Sequence, residues 1–405
     1  MKVLIIHNTY QQPGGEDVVV TQESKLLAQS GHKVSIYSRS NHEIAALSFA
    51  QRLGLIGRII SATDSKIAIR DVVQDSRPDV VHVHNTFAMV SPAVYEVCQD
   101  ENIPVVQTLH NYRLLCPAST FYRDEAICEE CVTDGLLRSM RYACYRDSHA
   151  MSGVVALMLQ THRSRRTWSE GIDAYIAISS FVKEKFEKSG FASDKIYVKP
   201  NFVEPDPGER SGTGDYALFV GRLSAEKGLR VLLAAWRLLS IKVPLVIAGD
   251  GPMRLELEAE VASTGLKQVR FTGRLSRDGV YDMIKKAAFV VVPSVWYEPF
   301  GLIVAEAFAC GTPVLGACVG GIQEMFAGQV TGLHFPPGDP DALAERVGWA
   351  WGHLPELAAM GKAGRRVYEE RYSANTNYDQ LMRIYGYAID AHVTRTQTRS
   401  FRASS

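Results

Sequence analysis

Residues 289–315 read FVVVPSVWYEPFGLIVAEAFACGTPVL, and the order of residue types predicts a strand, a loop and a helix in succession. The apolar run 289–292 has the length and β-branched content of a buried strand, and the prolines at 293 and 299 bound a loop. From 301 to 309 an apolar pattern continues as a helix that stops at Gly311. A strand that feeds a helix through a short loop is the repeating unit of a parallel α/β sheet. Glu298 stands just outside the helix start, where free backbone N–H groups and the positive end of the dipole favour an anion. Glu306 follows eight residues later. The two carboxylates can hold two ends of one polar ligand whose phosphates rest between them.

Outward from this stretch, apolar strand-like runs alternate with helical patterns in both halves of the 405-residue chain. The first half predicts strands at 3–6, 34–37, 80–83, 105–109, 174–178 and 196–199. The second predicts them at 216–220, 245–248, 269–272, 289–292, 314–315 and 333–335. The fold class is therefore α/β, with two Rossmann-like, doubly wound parallel-sheet domains. Residues 205–215, rich in Pro, Gly, Ser, Thr and charge, read as a linker between a domain at 1–204 and one at 216–373. Residues 393–405 read as a frayed polar tail.

A second cluster supports the same ligand. In YALFVGRLSAEKGLRVLL (216–233) a strand ends at Gly221 and a helix is expected to begin near Ala225. Arg222 then stands at the carboxyl edge of the strand and Lys227 in the first turn of the helix. Ligands of open α/β sheets gather at that edge. A rigid guanidinium beside an ammonium suits a diphosphate whose charge grows as it leaves. Taken alone, the two read as solvated surface cations, as most Arg and Lys are.

Near the amino terminus, YQQPGGEDVVV (10–20) places Pro13, Gly14 and Gly15 in a loop after the first strand, with Glu16 and Asp17 opening a helix whose dipole they complement. Such a loop is either a plain turn or bare backbone open to a phosphate or sugar. His110 follows the strand at 105–109, where it can donate to a sugar hydroxyl or serve as a structural histidine. His82 and His84 share one face of another strand. No third ligand with suitable spacing is visible, so they read as site lining or core.

These segments, taken in order, resemble a known family. VGRLSAEKG (220–228), GDGP (249–252), FTGRL (271–275) and EPFGLIVAEAFACGTPV (298–314) are similar to the retaining glycosyltransferases of family 4, which have the two-domain GT-B fold. GGED (14–17), DVVHVHN (79–85), TLHNYRLLCP (108–117) and DAYIAISSFVKEKF (173–186) extend the resemblance over nearly all of the chain. It implies two domains facing a central cleft, with a last helix at 374–392 crossing back to the first. It implies Glu298, His110, Arg222 and Lys227 as the catalytic set. Gly14, Gly15, Gly221, Gly251, Arg274, Phe300, Gly301, Leu302 and Glu306 would complete the donor site, with Glu306 on the ribose and backbone N–H groups at 300–302. Asp17 and Asn111 would face the acceptor. The substrate so implied is a UDP- or GDP-hexose, and the acceptor a cell-surface glycan or lipid-linked precursor. A nucleotide-sugar epimerase of the same fold, or a noncatalytic partner in polysaccharide assembly, are the competing readings.

No metal or other cofactor is implied for catalysis. The one Asp-x-Asp pair, Asp339 and Asp341 in PPGDPDAL, reads as a helix N-cap. Four of the seven cysteines fall in an insertion at about 114–146: Cys116, Cys128, Cys131 and Cys144. They read either as four thiolates for a structural zinc or as buried and free thiols. Arg138, Arg141, Arg146, Arg163, Arg165 and Arg166 make 138–166 basic, which reads as peripheral contact with an anionic membrane or as the solvated end of a domain helix. Lys plus Arg and Asp plus Glu are each 44, so net charge gives no case for nucleic acid. The opening MKVLIIHNTY has one Lys and a short apolar run, read as a first strand rather than a leader. A cytoplasmic enzyme, with or without contact at the inner membrane face, is the expectation.

Overall fold

Every predicted apolar run becomes a strand in the computed structural model, which describes residues 1–11, 14–46, 49–326 and 330–404. Pro13 lies outside the described residues. The first sheet contains β1 (Lys2–Thr9), β2 (Lys33–Ser40), β3 (Val80–Val83), β4 (Val105–Leu109), β5 (Ala174–Ala177) and β6 (Ile196–Val198). The second contains β7 (Ala217–Val220), β8 (Leu245–Ala248), β9 (Val269–Gly273), β10 (Phe289–Val292), β11 (Val314–Ala317) and β12 (Gly332–Phe335). Both are parallel throughout. Continuous rather than alternating apolarity is what a strand covered on both faces requires, and β3, β4, β5, β8, β10 and β11 are buried at every position.

The chain divides into two units. The first is Met1–Thr120, Glu129–Lys199 and Asn377–Ser405; the second is Phe121–Cys128 and Pro200–Thr376. In the first, the strand order is β2-β1-β3-β4-β5-β6, so the winding reverses between β1 and β3. In the second it is β9-β8-β7-β10-β11-β12, which reverses between β7 and β10. At such a reversal the loops leaving two neighbouring strands diverge and open a crevice at their carboxyl ends. Each unit has its own core. Val3, Ile5, Val80, Val106 and Ile176 pack with Leu381, Ile384 and Tyr385 in the first, and Phe219, Leu232, Trp236, Ile247, Phe289 and Leu315 pack together in the second.

Four helices position the candidate residues: α1 (Gly15–Gln29), α2 (Leu229–Leu238), α3 (Leu302–Ala309) and α4 (Ala374–Ser404). In α2 the buried Leu229, Leu232, Leu233 and Trp236 fall on one helical face, and the Trp236 indole donates to the Val243 carbonyl at 2.9 Å. The stretch expected as a frayed tail is helical to Ser404. Its start is anchored, because His392 and Arg395 reach the two carboxylate oxygens of Asp173 at 3.2 and 2.9 Å. Residues 205–215 are also not a free tether. The Arg210 N–H donates to the Cys310 carbonyl at 2.9 Å, and Asp206 pairs with Arg365 at 2.7 Å, all within the second unit. Among the described residues, no helix is long and apolar enough to cross a membrane.

Candidate functional site

In the second unit, the loops leaving β7 and β10 flank the reversal of strand order and carry the predicted cations and carboxylates. Gly221 continues β7 by donating to the Ala248 carbonyl at 3.0 Å, and Leu223 donates to the Asp250 carbonyl at 3.0 Å. A side chain at Gly251 would collide with the Leu223 backbone, and one at Gly249 (φ +139°) with the Gly221 carbonyl. These two glycines let the loop after β8 lie directly against the loop after β7. Arg222, on the loop after β7, is exposed and has no ion-pair partner among the described residues; Arg274, after Gly273, is likewise exposed.

Lys227 does not occupy the first turn of α2. It ends a separate 3-10 turn, Ala225–Lys227, and Gly228 (φ +71°) then breaks the chain before α2 begins at Leu229. Any Cβ at Gly228 would strike the Pro293 carbonyl, so this glycine seats the turn against the loop after β10. The consequence is direct contact between two predicted site residues. Lys227 Nζ lies 2.6 Å from Glu298 Oε2 and 5.3 Å from the centre of the Trp296 ring.

Glu298 Oε2 also accepts from Trp296 Nε1 at 3.0 Å and Ser294 Oγ at 3.2 Å. With three donors on one oxygen, Oε1 is left with no protein partner among the described residues. The loop is fixed from beneath: Gly321 donates to the Glu298 carbonyl at 2.7 Å, and Gly320 (φ +61°) sits where a Cβ would be 2.5 Å from that same oxygen. Gly301 (φ +91°) turns the chain into α3, whose first N–H groups have no partner within the helix. Phe300 itself is buried with its ring 5.7 Å from that of Tyr372, so only its backbone is available to a ligand. Glu306 is half-buried and makes no hydrogen bond or ion pair with its carboxylate among the described residues. Burial pushes its pKa up to about 7, opposed by the Arg277 charge.

In the first unit, the predicted acceptor-side residues Asp17 and Asn111 are each engaged by neighbours rather than by each other. Gly14, just before α1, donates to Asp17 Oδ2 at 2.8 Å, and His7 Nε2 meets Asp17 Oδ1 at 2.9 Å. Burial works against the Asp17 charge, yet the His7 and Gly14 hydrogen bonds hold it below the usual carboxylate range. Asn111 donates to Tyr10 Oη and Glu16 Oε2, both at 3.3 Å. Glu16, read from sequence as a dipole partner, is instead a nearly buried acid whose pKa burial and the Asp17 charge push up to about 8. His110 lines a pocket with His84, Gln107, Asn111 and Arg113. Its Nε2 meets His84 Nδ1 at 2.9 Å.

The third partner for His82 and His84 comes from α1. Glu23 Oε1 is 3.0 Å from His82 Nδ1 and 3.4 Å from His84 Nε2. Among the described residues this is the one group of His, Cys, Asp and Glu whose ligand atoms converge. Lys199 Nζ already neutralises Glu23 at 2.8 Å, so a second buried cation there would meet like charge, and we read the group as an ion-pair network. The sequence signal was present: Glu16, Val19, Val20, Glu23 and Leu27 share one face of α1, which puts two acids on a buried stripe.

The zinc reading of the cysteines finds no support. Cys116 and Cys131 are buried and Cys128 and Cys144 half-buried, all four as free thiols. The basic span is partly neutralised, because Arg138 pairs with Asp134 at 3.1 Å and Arg166 with Glu170 at 3.2 Å. Asp339 is the N-cap expected of it, accepting from the Ala342 N–H at 2.9 Å.

Residues 204–367 match the family described as Glycosyl transferases group 1, and residues 13–207 match Glycosyltransferase Family 4. An uncharacterized glycosyltransferase of Methanocaldococcus jannaschii is 37% identical over 179 residues, which is 43% of this chain and 45% of that protein. The Escherichia coli O-antigen chain mannosyltransferase C is 32% identical over 45% of this chain and 49% of its own length. The chain thus spans about half the length of each of these two relatives. The crystal structure of Anabaena HepE in complex with UDP has the same fold, with a TM-score of 0.68 over 95% of this chain and 99% of that one at 18% identity.

Proposed function

Because the chain belongs to the group 1 glycosyltransferases of GT-B fold, we propose that it moves a hexose-type sugar from a nucleoside-diphosphate sugar to a hydroxyl of a glycan or glycolipid precursor, with retention of anomeric configuration. The observation that carries this reading is Glu298: a carboxylate with one oxygen held by Lys227, Trp296 and Ser294 and the other oxygen unclaimed. A sugar hydroxyl donating to Oε1 would complete it. Arg222, exposed beside Lys227 in sequence, and the first N–H groups of α3 supply positive charge for a diphosphate without a metal ion. Glu306, unpaired and raised in pKa, suits the paired hydroxyls of a ribose. Gly221, Gly251 and Arg274 border the same loops; in the other unit Gly14 caps α1 and Gly15 begins it. There His110 is assigned to the transferred sugar, while Asp17 and Asn111 act on the acceptor side through their bonds to His7, Gly14 and Glu16.

A UDP-sugar is the first donor to test, since a fold neighbour was solved with UDP; a GDP-sugar is the second. Thermal shift of the full chain against a panel of sugar nucleotides reads donor binding directly, because a ligand at 100 times its Kd stabilises by about 2.7 kcal/mol. Incubation with a radiolabelled donor and a lipid-linked or glycan acceptor then separates the reactions. Release of nucleoside diphosphate with label on the acceptor supports transfer. Conversion of the sugar nucleotide alone would make the protein an epimerase, and a panel with no thermal shift would remove the donor assignment altogether.

A further inference from the structure

His110 is oriented by a chain of buried groups that begins far from it in sequence. Glu23 on α1 is 1% exposed, its Oε2 bound to Lys199 at 2.8 Å and its Oε1 3.4 Å from His84 Nε2. His84, just after β3, meets His110 Nε2 through Nδ1 at 2.9 Å, and the two rings stack with centres 5.2 Å apart. Lys199 is itself fixed by Asn377 Oδ1 at 3.2 Å. His82 braces the other side of Glu23, with Tyr385 Oη on its Nδ1 at 2.8 Å and Thr108 Oγ1 on its Nε2 at 2.7 Å.

The tautomers follow from electrostatics. Glu23 is a carboxylate, since the Lys199 charge and its neighbouring hydrogen bonds outweigh the burial that opposes ionisation. Burial pushes the His84 pKa down to about 3, so the ring carries one proton. If that proton sat on Nδ1, the bare lone pair of Nε2 would face an anion 3.4 Å away in a low-dielectric interior. On Nε2 it lies 3.4 Å from the Glu23 carboxylate, a favourable charge–dipole contact outside hydrogen-bond geometry, and Nδ1 becomes an acceptor. The bond to His110 then needs a proton on His110 Nε2. His110, also neutral because burial holds its pKa well below the usual histidine range, is left with a lone pair on Nδ1. No protein group among the described residues occupies that atom, and the ring lines a pocket.

We propose that Glu23 and His84 are positioning residues that fix His110 as its Nε2–H tautomer, so that Nδ1 accepts a hydrogen bond from a hydroxyl of the sugar substrate. The role given to His110 rests on the proposed transferase reading; its tautomer does not. The test is nitrogen-15 NMR of the histidine-labelled full chain, with His110 assigned by its loss in His110→Gln. The proposal expects protonated Nε2 and bare Nδ1 in the unliganded protein. His84→Leu, which removes the acceptor, should give a mixture of tautomers, and kcat should fall by about 10- to 100-fold with donor KM within about threefold. His84→Gln should restore the tautomer and most of the lost turnover, because its amide accepts from His110 and donates toward Glu23. Glu23→Gln leaves Lys199 buried without its counter-charge, so a failure of that variant to fold makes the two His84 variants the deciding pair. A proton on His110 Nδ1 in the wild type would overturn the proposal, as would a folded His84→Leu with wild-type tautomer and turnover. Absence of sugar transfer with the expected spectrum would defeat the transferase reading alone.

Discussion

Lys227 Nζ and Glu298 Oε2 stand 2.6 Å apart, joining the two loops that leave β7 and β10 on either side of the strand-order reversal. Their side chains are 25% and 12% exposed, so water screens the pair only in part. An ammonium engaged with a carboxylate is positioned before any ligand arrives, and an incoming diphosphate competes for it. Lys227→Ala should therefore lower kcat by about 10²- to 10³-fold, the range for loss of one donor to a charge that grows in the transition state. Because the two side chains touch, Lys227→Ala and Glu298→Gln should not add: a double-mutant cycle on kcat/KM should return a coupling of at least about 0.5 kcal/mol. Strict additivity would show that the contact has no part in turnover.

Glu298→Gln separates charge from hydrogen bonding. The amide oxygen can still accept from Trp296 and Ser294, but Lys227 loses its counter-charge and the sugar loses an anion beside a ring that becomes positive as its bond to the diphosphate breaks. That loss belongs to the transition state, so kcat should fall by more than donor KM rises. Steady-state kinetics showing a change in KM alone would assign Glu298 to ground-state binding.

The strands were legible because a parallel strand covered on both faces must be apolar throughout, as at Val80–Val83 and Phe289–Val292. The start of α3 was legible for a similar reason, since Gly301 interrupts two apolar runs of different period. Lys227 was misplaced into a helix because nothing local reveals that Gly228 must adopt φ +71° to seat against Pro293. That constraint comes from a loop 65 residues away in sequence, as the two residue numbers show. The meeting of Glu23, His84 and Lys199 was out of reach for the same cause: the α1 stripe and the strand face could each be read alone, but only the order of strands brings them together. Residues 393–405 read as tail because they are mostly polar, yet Arg395 and Thr396 bond to Asp173 and Asn102.

Gly320 tests how tightly the Glu298 loop is built. Alanine there must accept φ +61° and place a Cβ 2.5 Å from the Glu298 carbonyl and 2.6 Å from its N–H nitrogen, both backbone atoms. The cost should exceed the ~1 kcal/mol of an incompatible glycine replacement, lowering Tm by at least about 2–4 °C for a unit of this size. The same shift moves Glu298, so turnover should fall with stability. Gly352→Ala, where a Cβ meets nothing within 4 Å, is the control. Equal melting temperatures and rates for Gly320→Ala and wild type would mean that the loop is looser than its contacts indicate.

The cysteines give a prediction in the opposite sense to the zinc reading. Two of the four cysteines are buried and two half-buried, as free thiols, so protein purified under reducing conditions without added metal should hold well under one equivalent of zinc. A chelator should leave Tm unchanged, and Cys128→Ser should do the same. One equivalent of tightly held zinc, lost in Cys128→Ser, would restore the four-thiolate site.

Glu306 links donor affinity to pH. Burial raises its pKa to about 7 in the unliganded protein, and its carboxylate can accept from two ribose hydroxyls only when ionised. Binding of a nucleoside diphosphate should therefore release a proton, and affinity should weaken as pH falls below about 7, by at most about tenfold per pH unit. Stability without ligand runs the other way. The unfolded chain gives up this proton near pH 4.5 and the folded chain near 7, so over that window the folded state binds more protons, and this group's contribution to stability declines as pH rises. Glu306→Gln should flatten the pH dependence of UDP binding measured by calorimetry between pH 6 and 8, while Glu306→Ala should raise donor KM by roughly 10- to 150-fold, the worth of a charged hydrogen bond, and leave kcat nearly intact. If the wild-type affinity is flat across that range, or if Glu306→Ala changes kcat and not KM, the ribose assignment fails.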